Sequence, residues 1–223
     1  MLLHAFLACG ARHLFLVNPS FGEEKALYYY NMSTQDLLSC LQDPNRDTIV
    51  CATTAVVLNV YEIMCERAMQ RMNHIAGARA LIKECRWDAK STGIGGACFW
   101  LNVGMELLSC LHFNWKMAWE PDTWNVDMNM AGAMGAVTGD EELWTHRMVY
   151  ICAKIADFRS TVEQFKNLDS VSQGNRLLQR CKEWDNLKAW CDEWERCVPQ
   201  SMRPLGYLQS WQKASKSSFP EVW

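Results

Sequence analysis

Apolar side chains recur at three- and four-residue intervals along most of the chain, and the interruptions fall on residues that stop helices. Residues 2–17 read as an amphipathic helix closed by Asn18-Pro19, because proline disfavours helical geometry in the residue before it. From Glu23 to Gln42, the apolar residues Leu27, Tyr30, Leu37, Leu38 and Leu41 fall mostly on one face, and Asp43-Pro44 ends the run. Asp47 is placed to cap a third helix from Thr48 to about Glu66, with Ile49, Val50, Val56, Val57, Val60, Ile63 and Met64 inside it. Those β-branched residues would suit a strand, but the segment is too long for one and holds no turn residues. A fourth helix runs from Met69 to Cys85 with Met72, Ile75, Ala76, Leu81 and Ile82. A fifth runs from Thr92 to Phe113 with Ile94, Phe99, Leu101, Val103, Leu107, Leu108 and Leu111.

Residues 114–139 break the pattern: Trp115, Trp119 and Trp124 surround Glu120-Pro121-Asp122, and a Met/Gly/Ala stretch follows to Gly139. This reads as a long surface loop whose tryptophans tuck back onto the bundle, with a mobile Gly/Ala end. Asp140, with Glu141 and Glu142 near the positive end of the helix dipole, opens a helix to about Phe165. The last long helix starts at Ser172 or Gly174 and reaches Cys197, carrying Trp184, Leu187, Trp190, Cys191 and Trp194 at helical spacing. Prolines 199, 204 and 220 then end the periodicity. The expected fold is all-α: an irregular bundle of about six or seven helices with a long Trp-rich loop, residues 1–198 forming the helical domain and 199–223 an extended C-terminal tail. No tandem repeat of fixed period is visible.

At 223 residues and 49% hydrophobic content, the chain can bury a sizeable core as one domain or two closely packed subdomains. A formal net charge of −3 leaves no excess of cations to neutralise phosphates, so no direct nucleic-acid contact is expected. The opening run MLLHAFLACG has no basic residues before it, and His4, Arg12 and His13 interrupt it, which favours a helix over a secretory signal. No run of about 18 consecutive apolar residues is found, so no membrane span and a soluble protein are expected. Eleven cysteines, an odd number without a C-x2-C pair, argue against both a disulfide framework and a zinc site; they read as small buried hydrophobes in a reducing compartment. No metal and no cofactor are expected.

Several groups imitate active sites. His74, in HIAGARALI, has no identifiable activating partner and reads as a packing histidine, while Arg79 is expected to pair with a carboxylate. Gly93, Gly95 and Gly96 lack the Lys and Ser/Thr of a phosphate loop, and close helix packing accounts for them. Asp185, Asp192, Glu193 and Glu195 alternate with Lys182, Lys188 and Arg196 as a charged solvent face does, without the clustered carboxylates of a diphosphate site. No catalytic residue is assigned, and an enzyme is the less favoured class. The aromatic content is the feature with functional promise. Eleven tryptophans either fill the core or line an apolar ligand pocket, for which the candidate residues are Phe99, Trp100, Trp119 and Trp124 with His74, Asn102, Glu106 and His112 as the polar complement.

The order Tyr61-Glu62, then H-x-x-G-A-R-x-L-I from His74 to Ile82, Cys98-Phe99-Trp100, Pro121-Asp122-Thr123-Trp124, and Glu142-Leu143-Trp144 to Phe158 resembles the fungal-specific transcription factor domain. In that family the domain lies C-terminal to a binuclear zinc-cluster module, and the likeness is to the subgroup of ARCA-like and sterol-responsive regulators, over about residues 10 to 223. The resemblance implies a helical, nuclear regulatory domain that senses a small molecule or holds the activator in check; with the aromatic content, an apolar ligand is expected, and a homodimer or a transcriptional co-regulator is the expected protein partner. The cysteine-rich zinc module and basic linker are absent, and family domains continue with further helices past Phe219-Pro220-Glu221. The chain therefore reads as an excised portion, a truncated gene product, or a stand-alone paralogue. The last would be cytoplasmic, and it admits the alternative of a biosynthetic enzyme that folds or cyclises an apolar metabolite in an aromatic-lined pocket, or of a dimerisation scaffold.

Overall fold

The structure, a computed structural model, describes residues 1–18, 20–65, 68–130, 140–162, 170–208 and 221–222. Among them are seven α-helices: α1 (Leu2–Val17), α2 (Glu24–Leu41), α3 (Thr48–Met64), α4 (Ala68–Glu84), α5 (Gly93–Phe113), α6 (Glu141–Ser160) and α7 (Ser170–Cys197). The protein is an all-α helical bundle, and the boundaries fall close to the punctuation residues. The Met/Gly/Ala stretch 131–139, expected to be mobile, lies outside the described residues. Beyond Val198, the described residues form a short 3-10 turn at Gln200–Met202 and an antiparallel pair of two-residue strands, β1 (Tyr207–Leu208) with β2 (Glu221–Val222).

Local chemistry accounts for the helix ends. The Asp47 side chain accepts the Val50 N–H at 3.1 Å, satisfying one of the orphan donors of the first turn of α3. At the end of α4, Arg86 takes a left-handed conformation (φ 58°), Trp87 N–H reaches back to Ile82 O, and Arg86 N–H to Lys83 O. Asn114 closes α5 in the same way, at φ 56° with Trp115 N–H on Cys110 O. Between α4 and α5, Gly93 holds a positive φ of 59°, and a side chain at Gly96 would sit 2.4 Å from the Ser91 carbonyl oxygen. Gly93 thus makes the turn into α5, and Gly96 admits the close approach of the Ser91 carbonyl.

Contacts divide the chain into two compact units, Met1–Val126 with Ala153–Gln164, and Asp127–Cys152 with Phe165–Trp223. In the first, α3 is the central helix, with Cys51, Ala52, Val56, Leu58 and Tyr61 buried, and α1, α2, α4 and α5 all contact it. Where α1, α2 and α3 meet, the core is made of small residues and stacked tyrosines: Ala8, Ala26 and Tyr61, with Tyr30 against Tyr61 at 4.6 Å. The Tyr30 hydroxyl donates to the Glu62 carboxylate at 2.7 Å. In the second unit, Trp144 of α6 is buried, the Trp194 indole of α7 donates to its carbonyl at 2.8 Å, and Tyr150 meets Trp190 at 5.8 Å. Arg147, 5% exposed, lies over the Trp144 ring and donates to the carbonyls of Asp127 and Asn129. The charged face of α7 is exposed and includes the i,i+4 pair Lys188–Asp192.

Among the described residues, α5 is the one helix long and apolar enough to cross a membrane, and 56% of its most apolar window is buried within the protein. Its length and apolarity serve a core position, with the ion-paired Glu106 inside it.

Candidate functional site

The sequence candidates converge on the inner face of α5 and the loop that follows it. Cys98, Phe99, Asn102, Val103, Glu106 and Cys110 recur at three- and four-residue steps, and all are buried. Phe99 is the hub of the aromatic group: Trp100 and Trp119 each meet it edge to face at 5.0 Å, and Trp124 at 6.2 Å. Phe99 and Trp124 are fully buried and Trp119 nearly so, which makes the group a packed core. The Lys83 ammonium lies 5.2 Å from the centre of the Trp119 ring.

One buried and one half-buried carboxylate hold the loop. Glu106, 0% exposed, accepts the N–H of Ala118 at 2.7 Å and of Trp119 at 3.0 Å on one oxygen, and Arg79 of α4 at 2.7 Å on the other. Asp157, on α6, accepts the adjacent Met117 N–H at 2.7 Å. Three consecutive backbone donors are thus satisfied by side chains where no helix or sheet serves them. Burial raises the Asp157 carboxyl above the usual carboxylate range, against the lowering pull of the Met117 N–H, Lys116 and Lys154. The far end of the loop is tied to the α4–α5 turn: Ala89 N–H donates to Trp124 O, and Asn125 donates to Asp88 at 2.8 Å. Burial would raise the Asp88 carboxyl, but hydrogen bonds from Asn125 and from the Lys90 and Ser91 N–H groups outweigh it and hold it below the usual range.

The predicted polar complement divides. Glu106 and Asn102 sit one turn apart on the same buried face, and His112 is exposed at the end of α5 with its ring edge against Phe113. His74 lies on α4, and its side chain is outside the described residues. Arg79 pairs with a carboxylate, as expected, and that carboxylate is Glu106. Both amide atoms of Asn102 are buried without a hydrogen-bond partner, and Asn59 on α3 shares this condition. Glu106, with every oxygen engaged, is no free base.

Seven of the eleven cysteine thiols are raised by burial, away from the thiolate. Burial pushes the Cys9 thiol up to about 11 and Cys110 up to about 12, and it raises Cys51, Cys85, Cys98, Cys152 and Cys191 as well. Among the described residues, no three His, Cys, Asp or Glu side chains are placed to share a metal ion.

The open apolar feature lies elsewhere in this unit. A groove of about 400 Å³ runs between α2, α3 and α4, lined by Thr34, Leu37, Leu38, Leu41, Ala55, Leu58, Gly77, Ala78, Ala80 and Leu81. Its one polar side chain, Thr34, has its hydroxyl engaged on the Tyr30 carbonyl at 2.9 Å. Sequence reasoning missed this groove. The signal was the small residues Gly77, Ala78 and Ala80 in a helix otherwise built to pack, which leave space where bulkier side chains would fill it.

Comparison of the chain with protein-family models, with curated proteins and with solved structures finds no match.

Proposed function

We propose that this chain is a regulatory domain of the fungal zinc-cluster transcription factor type, which takes an apolar small molecule into the α2–α4 groove and performs no chemistry on it. The observation that carries this reading is the groove itself. Its volume falls in the range of small-molecule sites, and its lining presents apolar side chains with no free hydrogen-bonding side chain, so a flat or chain-like hydrocarbon skeleton suits it better than a polar metabolite. The ordered motifs from Tyr61-Glu62 to Phe158, which resemble that family, support this reading. The loop-anchoring carboxylates support a regulatory role over a catalytic one, because Glu106 and Asp157 spend hydrogen bonds on backbone amides of the chain. In this role the domain acts in the nucleus, through a ligand-dependent contact with another protein.

The test is native mass spectrometry of protein purified from its source, followed by thermal melts with sterols and long-chain alcohols. A retained apolar molecule is expected, with stabilisation of about 2.7 kcal/mol at a hundredfold excess over Kd. Ala80→Phe, which fills the groove from an exposed position, should abolish that shift while leaving the unliganded melt in place. Ligand-induced stabilisation that survives Ala80→Phe, or turnover of the molecule, would sink the proposal.

A further inference from the structure

Helix α1 faces the protein with the wrong side for a monomer. Its buried positions are Ala5, Ala8 and Arg12, two minimal side chains and a cation. The guanidinium of Arg12 is accommodated by the Met64 carbonyl, at 3.2 Å from both Nε and Nη2, and by Glu23. Most of its large apolar residues point outward: Leu3 is 68% exposed, Phe6 56%, Leu7 39%, Leu14 49% and Val17 71%, with Leu16, off this side, at 50%. A surface helix of a monomer puts such residues on its core stripe and polar ones outside.

Leu3, Phe6, Leu7, Leu14 and Val17 form a pattern with a centre. Relative to Gly10, Leu3 and Val17 stand seven residues before and after, Phe6 and Leu14 four, and Leu7 and His13 three. At 3.6 residues per turn these seven positions occupy one stripe roughly 120° wide and about 21 Å long. At its midpoint, Gly10 is exposed, and a Cβ added there would meet nothing within 4 Å. A stripe symmetric about a glycine is self-complementary under a two-fold axis. Two antiparallel copies crossing at Gly10 bring Phe6 of one copy against Leu14 of the other and Leu3 against Val17, and the missing side chain lets the axes come close.

We infer that α1 is a homodimerisation helix, and that its occupant is α1 of a second copy of this chain, antiparallel and crossed at Gly10. The exposed apolar side chains amount to roughly 500 Å² per copy, so pairing removes about 1,000 Å² in all, the lower bound for a specific interface. A lipid surface fits less well. An interfacial amphipathic helix carries cations on its polar face, whereas the one Arg of α1 is buried, the helix has no Lys, and the chain is net negative. This inference is independent of the ligand-sensing reading and goes beyond it.

The test is sedimentation equilibrium of the full chain at up to about 100 µM, with circular dichroism to confirm the helices. The wild type is expected to dimerise. Phe6→Lys and Leu14→Glu, each at a half-exposed site, should separately weaken association at least ~100-fold. The double variant Phe6→Lys/Leu14→Glu should recover it to within ~10-fold, because the antiparallel crossing sets the new lysine of each copy against the new glutamate of the other. Leu101→Lys, on the exposed side of α5, should change nothing. A monomeric wild type overturns the inference. So does a dimer that Phe6→Lys leaves intact, or one that Leu101→Lys dissociates. Failure of the double variant to recover overturns the antiparallel crossing. Binding of monomeric chain to phosphatidylcholine/phosphatidylserine vesicles that Phe6→Lys abolishes overturns it in favour of a lipid surface.

Discussion

The ion pair Arg79–Glu106 yields a prediction in which the two partners are unequal. Glu106 is 0% exposed, whereas the Arg79 side chain keeps 17% of its surface in solvent. Removing the arginine with Arg79→Met leaves a carboxylate in the core with only the Ala118 and Trp119 N–H groups for compensation, and an uncompensated buried charge costs about 3–5 kcal/mol. Removing the charge with Glu106→Gln keeps an oxygen for those two N–H groups and leaves a cation that reaches water, so the loss is one charged hydrogen bond, about 1.5–3 kcal/mol. Arg79→Met should therefore be the worse of the two. The double variant should be milder than the sum, with a coupling energy of about 1.5 kcal/mol or more, since the neutral amide no longer needs a cation. Urea unfolding followed by circular dichroism measures all three. Tryptic cleavage after the exposed Lys116 reports the loop itself, and it should accelerate in Glu106→Leu, which frees the two amides. An Arg79→Met variant within about 0.5 kcal/mol of wild type would refute the idea that a buried charge holds this loop.

Three further outcomes follow from the same geometry. Gly77→Ala and Gly104→Ala, which meet nothing within 4 Å, should each stabilise their helix by about 0.5–1 kcal/mol in the urea midpoint, while Gly96→Ala, forced against the Ser91 carbonyl, should cost about 1–3 kcal/mol. Acid titration of stability should show opposite signs at two carboxyls. The depressed Asp88 contributes stability that is complete above the unfolded carboxylate range and lost as pH falls through its folded value, so Asp88→Asn should flatten the profile below about pH 4. The raised Asp157 contributes stability present below that range and lost as pH rises through its folded value, so Asp157→Asn should be tolerated at pH 7 and should remove that decline, as urea midpoints between pH 3 and 7 (roughly that window) would show. Iodoacetamide labelling at about pH 8, read by mass spectrometry, should modify the exposed Cys181 first and leave Cys9 and Cys110 last, because burial keeps the latter two as thiols.

Helix ends were legible because their signals are local. Asp47 caps α3 with its own side chain, Pro44 lies in the break after α2, and Asp140 immediately precedes α6. The aromatic residues that lie together were also partly legible, since Phe99 and Trp100 share a helix with Glu106. Their burial was not, because it depends on Trp119 and Trp124 returning from a loop whose anchors, Arg79, Glu106 and Asp157, are 27 residues or more apart along the chain where they pair across helices. The groove escaped notice because it belongs to three helices at once, and what defines it is the absence of side chains at Gly77, Ala78 and Ala80.

Periodicity and punctuation alone determined that this protein is a bundle of helices and, for α1 to α5, roughly where each begins and ends, since those properties are set by residues within a few positions of one another; the sixth helix, expected to about Phe165, ends at Ser160, and the seventh starts at Ser170, ahead of Ser172. The direction each stripe faces was decided only in three dimensions. Helix α1 shows why: its sequence declares an apolar face, yet the space between α2 and α3 accepts alanines and the hydrogen-bonded head of Arg12, so the leucines and Phe6 are left outside. Burial is settled by the shape and donors of the neighbouring surface, and no single helix carries that information.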